Sequence, residues 1–339
     1  MKAESFSAPA TGLNAAAANI VYRDVAISLR SHIVLWFMRL LLKPLLARIV
    51  KSSNERIAAT QLQVASMRCP DTAGLALDYR VVGRVPGHVF GELSDQSRNV
   101  VLWLHGGAFI LPAAPNVHLT LVARLCRDLH ADGFVPDYRL APFNRFPTGL
   151  DDCERAYRVL LETGYAPSQI ILGGDSAGGN LALGTLQRIR KAGLPMPACA
   201  VVVSPVTEMG RTHSPPSRCR VRRSDPLLPI AALARVDELY AGDWDASDPE
   251  LSPLYMDCGG LPPMFFLATD NEILLDETIM IARRMHDAGV PTMCHVWPRL
   301  PHAFVLFEDY FREIRPARDE IVVFARRHLH KPASAESAA

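Results

Sequence analysis

The chain has 339 residues, 49% of them hydrophobic, and its 36 basic and 35 acidic side chains leave a formal charge of +1. That length and apolar content can bury a large core, which favours one large α/β domain with additions over a disordered or fibrous chain. The near-neutral balance gives no reason to expect a nucleic-acid partner, and the lack of any repeat of about 20 to 50 residues argues against a solenoid or propeller.

The N-terminal stretch "MKAESFSAPATGLNAAAANI" lacks a compact apolar segment, so no secretory signal is expected. The apolar stretch "SHIVLWFMRLLLKPLLARIV" that follows is interrupted by Arg39, Lys43 and Pro44. No uncharged run therefore approaches the ~20 residues that span a bilayer. Its charges from Arg30 to Lys51 are all basic (Arg30, Arg39, Lys43, Arg48, Lys51), a pattern that suits a helix lying on an anionic membrane surface. Helices that pack over the main domain and shield a pocket have the same composition, and that reading is preferred. After Gln61, short apolar runs alternate with amphipathic stretches, the signature of strands crossing through helices into a mostly parallel sheet. The pattern predicts strands near 78–82, 99–104, 133–138, 169–173, 198–203, 263–268 and 292–297, and helices over 117–130, 148–163, 177–192, 274–288 and 316–330. Between Pro205 and Pro253 the regularity breaks into an excursion whose arginines read as a solvated face. The end of the chain, 333–339, reads as a flexible tail. Seven cysteines without a C-x-x-C pair suit reduced thiols, hence a cytoplasmic setting, and give no metal cluster.

Three short segments carry chemistry. "IILGGDSAGGN" puts Ser176 on a strand-to-helix turn, with Gly174 and Gly178 at the two ends of Gly-Asp-Ser-Ala-Gly. Glycines there remove the Cβ atoms that would collide in so sharp a turn, leaving the serine hydroxyl projecting from the strand end as a nucleophile elbow. A serine needs a base and a group to orient that base. If the base follows the nucleophile in the chain, the candidates are His213, His286, His295, His302, His328 and His330. His302, in "WPRLPHAF", lies in a loop after an apolar strand and is preferred. The others fall on helices, inside a strand or in the basic excursion. The orienting acid should also follow a strand end. "FFLATDNEILLDE" offers Asp270, Glu272, Asp276 and Glu277, and the last two suit the first turn of a helix; spacing leaves Asp270 and Glu272 open. Donors for a developing oxyanion should include the backbone N–H of Ala177, directly after the serine. The others should come from His105-Gly106-Gly107-Ala108, which follows the strand at 99–104.

With "HGGAF", "DYRLAP", "GDSAGGNLA", "DPLLP", "SPLY", "LPPMFFLATDNEILLDE" and "PHAF" in this order from about Asp78 to Phe304, the sequence resembles the hormone-sensitive lipase family of esterases. The resemblance implies an α/β-hydrolase fold: a mostly parallel central sheet flanked by helices, with a helical cap. Residues 1–60 would form an N-terminal cap segment, and 61–332 the catalytic domain with a cap excursion at about 205–253. It assigns Ser176 as nucleophile, His302 as general base and acid, and Gly106, Gly107, Ala108 and Ala177 to the oxyanion region. His105, Gly174, Asp175 and Gly178 support the two motifs. The family's acid position falls on Glu272 here, with Asp270 in reserve; a glutamate reaches one methylene further than an aspartate. The implied activity is cofactor-free hydrolysis of short-to-medium acyl esters. An amidase or peptidase with the same triad, a non-catalytic receptor on the same fold and a membrane-surface lipase are the rivals. A homo-oligomer is compatible with the sequence. Two positions depart from the family pattern. Ala108 replaces the third glycine of the usual loop, so the loop is expected to adopt a conformation that alanine tolerates, and Phe143 stands where glutamate is common.

Overall fold

The computed structural model describes residues 20–69, 71–94, 96–210 and 215–329. The tail at 333–339, the start of the N-terminal segment, and His213 and His330 lie outside the described residues. Strands β1 (Ile20–Tyr22), β2 (Leu77–Val82), β3 (Val85–Phe90), β4 (Asn99–Leu104), β5 (Ala131–Pro136), β6 (Ile170–Asp175), β7 (Cys199–Val203), β8 (Met264–Thr269) and β9 (Thr292–Trp297) form one sheet. Their spatial order is β1-β9-β8-β7-β6-β4-β5-β3-β2. Strand β3 runs antiparallel to both β2 and β5, and all other pairings are parallel.

The central strands "NVVLWL", "IILGGD", "CAVVV" and "MFFLAT" are almost wholly buried. They read as continuous apolar runs because a parallel sheet is covered on both faces. The helices are α1 (Leu29–Phe37), α2 (Lys43–Val50), α3 (Asn54–Ala65), α4 (Thr120–Leu129), α5 (Thr148–Glu162), α6 (Ala177–Lys191), α7 (Pro216–Arg220), α8 (Ile230–Tyr240), α9 (Leu275–Asp287) and α10 (Arg315–His328). Apolar side chains of α5, α6 and α9 join the core on one face of the sheet, and those of α4 and α10 join the core on the other.

Strands β1 and β3 are absent from the sequence reading. Three residues are too few for a period-2 signal in β1. In β3, Pro86 and Gly87 are turn-type residues that mask the strand pattern, whereas the turn lies three residues earlier. Gly83 and Arg84 both take positive φ (53° and 77°), as a two-residue hairpin of matching twist requires. A Cβ on Gly87 would overlap the chain of β5, so glycine is there for close strand approach. Strand β5 begins two residues before its expected start, because His130 ends α4 in the left-handed conformation and the chain enters the sheet at once.

Helix α1 continues into α2 through a π-type turn at Met38–Leu42, and α2 packs against α8. Arg39 donates to the carbonyl of Ser224 (2.6 Å), and Lys43 to those of Arg222 (2.9 Å) and Asp225 (2.8 Å). The N-terminal segment and the excursion are thus bonded to each other. Gln61 of α3 adds hydrogen bonds to the carbonyls of Ile110 and Ala141.

The arginines of the excursion are not uniformly solvated, contrary to expectation. Arg218 is buried and meets the buried Glu277 at 2.9 Å. The other oxygen of Glu277 accepts the amides of Thr207 and Glu208, and burial pushes its carboxyl pKa up despite Arg218. Removing one member of such a pair leaves the other charge buried and alone. Arg218→Ala should therefore lower the unfolding free energy by ~3–5 kcal/mol in urea titration, whereas Arg218→Ala with Glu277→Leu should recover much of that loss.

Candidate active site

Ser176 sits between β6 and α6 with φ 55° and ψ −119°, a conformation that costs a non-glycine residue ~1–3 kcal/mol. The surroundings enforce it. Its N–H donates to the carbonyl of Val203 (2.8 Å) and its own carbonyl accepts from Asn180 (3.1 Å). A Cβ on Gly174 would overlap the carbonyl of Gly178, and one on Gly178 the carbonyl of Leu104. The glycines at both ends of the motif are therefore spaces into which neighbouring backbone already fits.

Strands β6, β7, β8 and β9 lie side by side, so residues just beyond their carboxyl ends meet along one edge. Glu272 follows β8 and His302 follows β9; both are buried, and Nδ1 of His302 lies 2.5 Å from Oε2 of Glu272. A carboxylate only accepts, so Nδ1 carries a proton and, in the neutral ring, Nε2 keeps its lone pair. That Nε2 is buried without a hydrogen-bond partner. No hydrogen bond to Ser176 is closed in this arrangement; such bonds are commonly open in unliganded sites and tighten around substrate. Burial alone would lower the His302 pKa, but the hydrogen bond and charge of Glu272, helped by Asp225 and Asp175, outweigh it and raise the pKa. Asp270, the reserve acid, is exposed and accepts the amide of Arg299 (2.6 Å), away from the imidazole.

Ser204, just beyond β7, is absent from the sequence reading. Its hydroxyl donates to Oε1 of Glu272 (2.8 Å) and accepts the amide of Ala303 (3.2 Å). It thereby joins the acid to the loop that carries the imidazole. The only cue was a serine directly after the apolar run "AVVVS", which is too common to single out.

The loop after β4 is fixed to the elbow by Asp175. That carboxylate accepts the amide of Gly106 (3.1 Å) and the indole N–H of Trp103 (3.0 Å), and lies 3.4 Å from Nε2 of His118. Burial works against its ionisation, but His118, Trp103 and His105 more than compensate and hold its pKa down. The amide of Gly106 is therefore already engaged, which corrects its expected place among the free donors: its role is to anchor the loop. Ala177 opens α6, where helix geometry gives its N–H no intrahelical acceptor. His105 donates from Nδ1 to the carbonyl of Gly106 (2.7 Å), and its ring stacks on Tyr138. Burial and the neighbouring His118 lower its pKa to about 4, so it is neutral. His118 and Tyr138 also lay outside the sequence reading; packing behind a motif leaves no local pattern.

Ala108 does not escape the left-handed region: it sits at φ 55° and Phe109 at 62°. The turn is held there by the amides of Ile110 (3.0 Å) and Leu111 (2.9 Å), both donating to Gly107, and by the amide of Ala141 donating to Phe109 (3.0 Å). Phe109 stacks on Tyr240 with ring centroids 3.8 Å apart. Phe143, the second departure, is exposed. Beside Ser176 lies a cavity of about 50 Å³, walled by Ala108, Phe109, Val206, Met209, Leu233 and Val236 among others.

A family model described as alpha/beta hydrolase fold matches residues 101–306. An acetyl-hydrolase of Streptomyces hygroscopicus is 33% identical over 71% of this chain and 80% of its own length. Esterase LipU of Mycobacterium tuberculosis is 37% identical over 62% of this chain and 72% of its own. Among solved structures, an esterase from the bacterial hormone-sensitive lipase family superposes with a TM-score of 0.77 at 29% identity, over 90% of this chain and all of that one (100%).

A left-handed alanine costs ~1–2 kcal/mol that glycine does not incur. Ala108→Gly should therefore raise the unfolding free energy by ~1 kcal/mol after allowance for glycine's greater unfolded-state entropy, as thermal denaturation would show.

Proposed function

The chain belongs to the α/β-hydrolase-fold family of hormone-sensitive-lipase-type esterases and is an ester hydrolase; on that premise we propose that it works through Ser176, His302 and Glu272 by way of an acyl-enzyme. The observation that carries this reading is the buried imidazole whose Nδ1 is held by Glu272 while Nε2 is left with an unused lone pair. Such a group can take a proton from a serine hydroxyl and return it to a leaving alkoxide.

In the proposed reaction, Nε2 of His302 removes the proton of Ser176 as the Oγ attacks the ester carbonyl. The negative oxygen that forms is met by the amides of Ala177, Gly107 and Ala108, donors worth roughly 10²–10³ in rate each in such sites. The imidazolium, stabilised by Glu272, protonates the departing alcohol. Water then enters and attacks the acyl carbon as the same Nε2 takes its proton, and the imidazolium returns that proton to the Oγ of Ser176 as the acid leaves. Glu272 acts by orienting the imidazole and balancing its transient charge, so its buried, fully bonded state suits the role.

The largely apolar lining, which also includes Glu208, Arg218 and Asp237, and the small volume of the cavity beside Ser176 support a short acyl chain as the occupant; it is far below the ~300 Å³ of a site that engulfs a drug-sized molecule. We assign the N-terminal segment and the 205–253 excursion together as the cap, on the support of the α2–α8 packing and the bonds from Arg39 and Lys43. Among the described residues no helix is long and apolar enough to cross a membrane.

Ser176→Ala should abolish p-nitrophenyl butyrate hydrolysis and labelling by a fluorophosphonate while the circular dichroism spectrum is unchanged; hydrolysis that survives the substitution would exclude the nucleophile. Because the base must be neutral and its pKa is raised, kcat/KM should fall as pH drops through a value above the ordinary 6.5 of histidine. Glu272→Gln removes the group that raises it, so the acid limb should move to lower pH while kcat falls by ~10³–10⁴.

A further inference from the structure

We propose that the outward face of the α1–α2 helix is a docking surface for an anionic lipid bilayer. The inward face of this helix is fully engaged. Ser31 is buried and its hydroxyl donates to Glu313 (2.9 Å), while Leu35 and Met38 enter the core. Arg39 and Lys43 are bonded to the carbonyls of the excursion. The opposite face should then be polar, as on any helix lying over a globular body. It is not. Leu29 (76% exposed), Ile33, Trp36 (56%), Phe37, Leu40, Leu41 (64%) and Leu45 all face solvent along one continuous segment. Single exposed apolar side chains need no explanation, but a stripe of seven between Leu29 and Leu45, over about four helical turns, does.

The charges identify the occupant. Arg30, Arg48 and Lys51 border the stripe, and between Asp24 and Glu55 the sequence contains no acidic residue. Arg30 and Arg48 are exposed. A second copy of the chain, meeting this face by two-fold symmetry, would set a segment whose charges are all basic against the same segment. A bilayer with anionic headgroups instead satisfies both features: apolar side chains enter the acyl boundary and cations stay among the phosphates. Trp36 has the amphipathic ring that prefers this depth. The placement also serves a hydrolase. Helix α2 packs against α8, whose Leu233 and Val236 wall the cavity beside Ser176.

The test is flotation of the full-length protein with vesicles of phosphatidylcholine alone or with about one third phosphatidylglycerol. The wild type should float with the anionic vesicles, much less with the neutral ones, and Trp36 fluorescence should shift to the blue only with the former. Leu29→Ser/Phe37→Ser/Leu41→Ser should lower the partition coefficient at least tenfold. Arg30→Glu/Arg48→Glu should lower it by more than tenfold, given roughly fivefold per basic residue near an anionic surface. Both variants alter exposed positions, so their melting temperatures should match the wild type, and a matched melting temperature assigns any loss to docking. Wild-type protein that stays unbound to both vesicles, or variants that float like it, would overturn the proposal. So would sedimentation velocity showing that the apolar substitutions dissolve a dimer which the vesicles do not displace.

Discussion

The arrangement hangs on one buried carboxylate. Glu272 is fully enclosed, and an ion in such a place costs several kcal/mol unless its lone pairs are used. They are used by three groups from three strand ends: the Ser204 hydroxyl (2.8 Å), the Thr269 amide (3.0 Å) and Nδ1 of His302 (2.5 Å). The carboxylate therefore acts as a node that fixes the carboxyl edges of β7, β8 and β9 relative to one another. It sets the tautomer of the imidazole at the same time. The geometry of His302 and most of the rise in its pKa thus trace to the same desolvated charge.

Asp175 has the same role on the other side of the serine. It is buried, and it ties the loop after β4 to the elbow through the Gly106 amide while Trp103 and His118 complete its shell. The site thus has two buried carboxylates, one ordering the imidazole and one ordering the loop after β4. Backbone strain accompanies both. Ser176, Ser204, Ala303, Ala108 and Phe109 are all non-glycine residues at positive φ. Strain of this kind persists only where surrounding contacts over-determine the chain: the Glu272 network holds Ser204 and Ala303, and backbone hydrogen bonds hold Ser176 and the turn at Ala108 and Phe109.

The sequence made much of this legible because parallel strands announce themselves by continuous apolar runs and the chemistry by glycines beside polar residues. Strand β6, the elbow, the loop at His105–Ala108 and the segments carrying Glu272 and His302 all have such local marks. What the sequence concealed is non-local. Ser204, His118 and Tyr138 matter through partners 33 to 99 residues away, and no spacing rule reaches them. Arg218 looked like one of a basic group on a solvated loop, and its burial depends on Glu277 from another element. The engagement of the Gly106 amide was hidden in the same way, since a glycine in a loop motif suggests availability and says nothing of an aspartate 69 residues on.

Asp225 shows how the cap and the chemistry are joined. Its carboxylate is buried and accepts the amides of Leu227, Leu228 and Ile273. Leu228 lines the cavity beside Ser176, and Ile273 directly follows Glu272. Its backbone carbonyl accepts from Lys43 of α2. One residue thus contacts the N-terminal helix, the cavity wall and the segment of the orienting acid. Burial raises its own pKa, and its charge adds to the rise at His302. A shift of α2 large enough to break the Lys43 contact would therefore reach the imidazole by two routes, through the position of the Glu272 segment and through the local field. The basic residues of the N-terminal segment need not be assigned wholly to a lipid face or wholly to the cap: Arg39 and Lys43 are bonded to carbonyls of the excursion, while Arg30 and Arg48 are exposed on the helix.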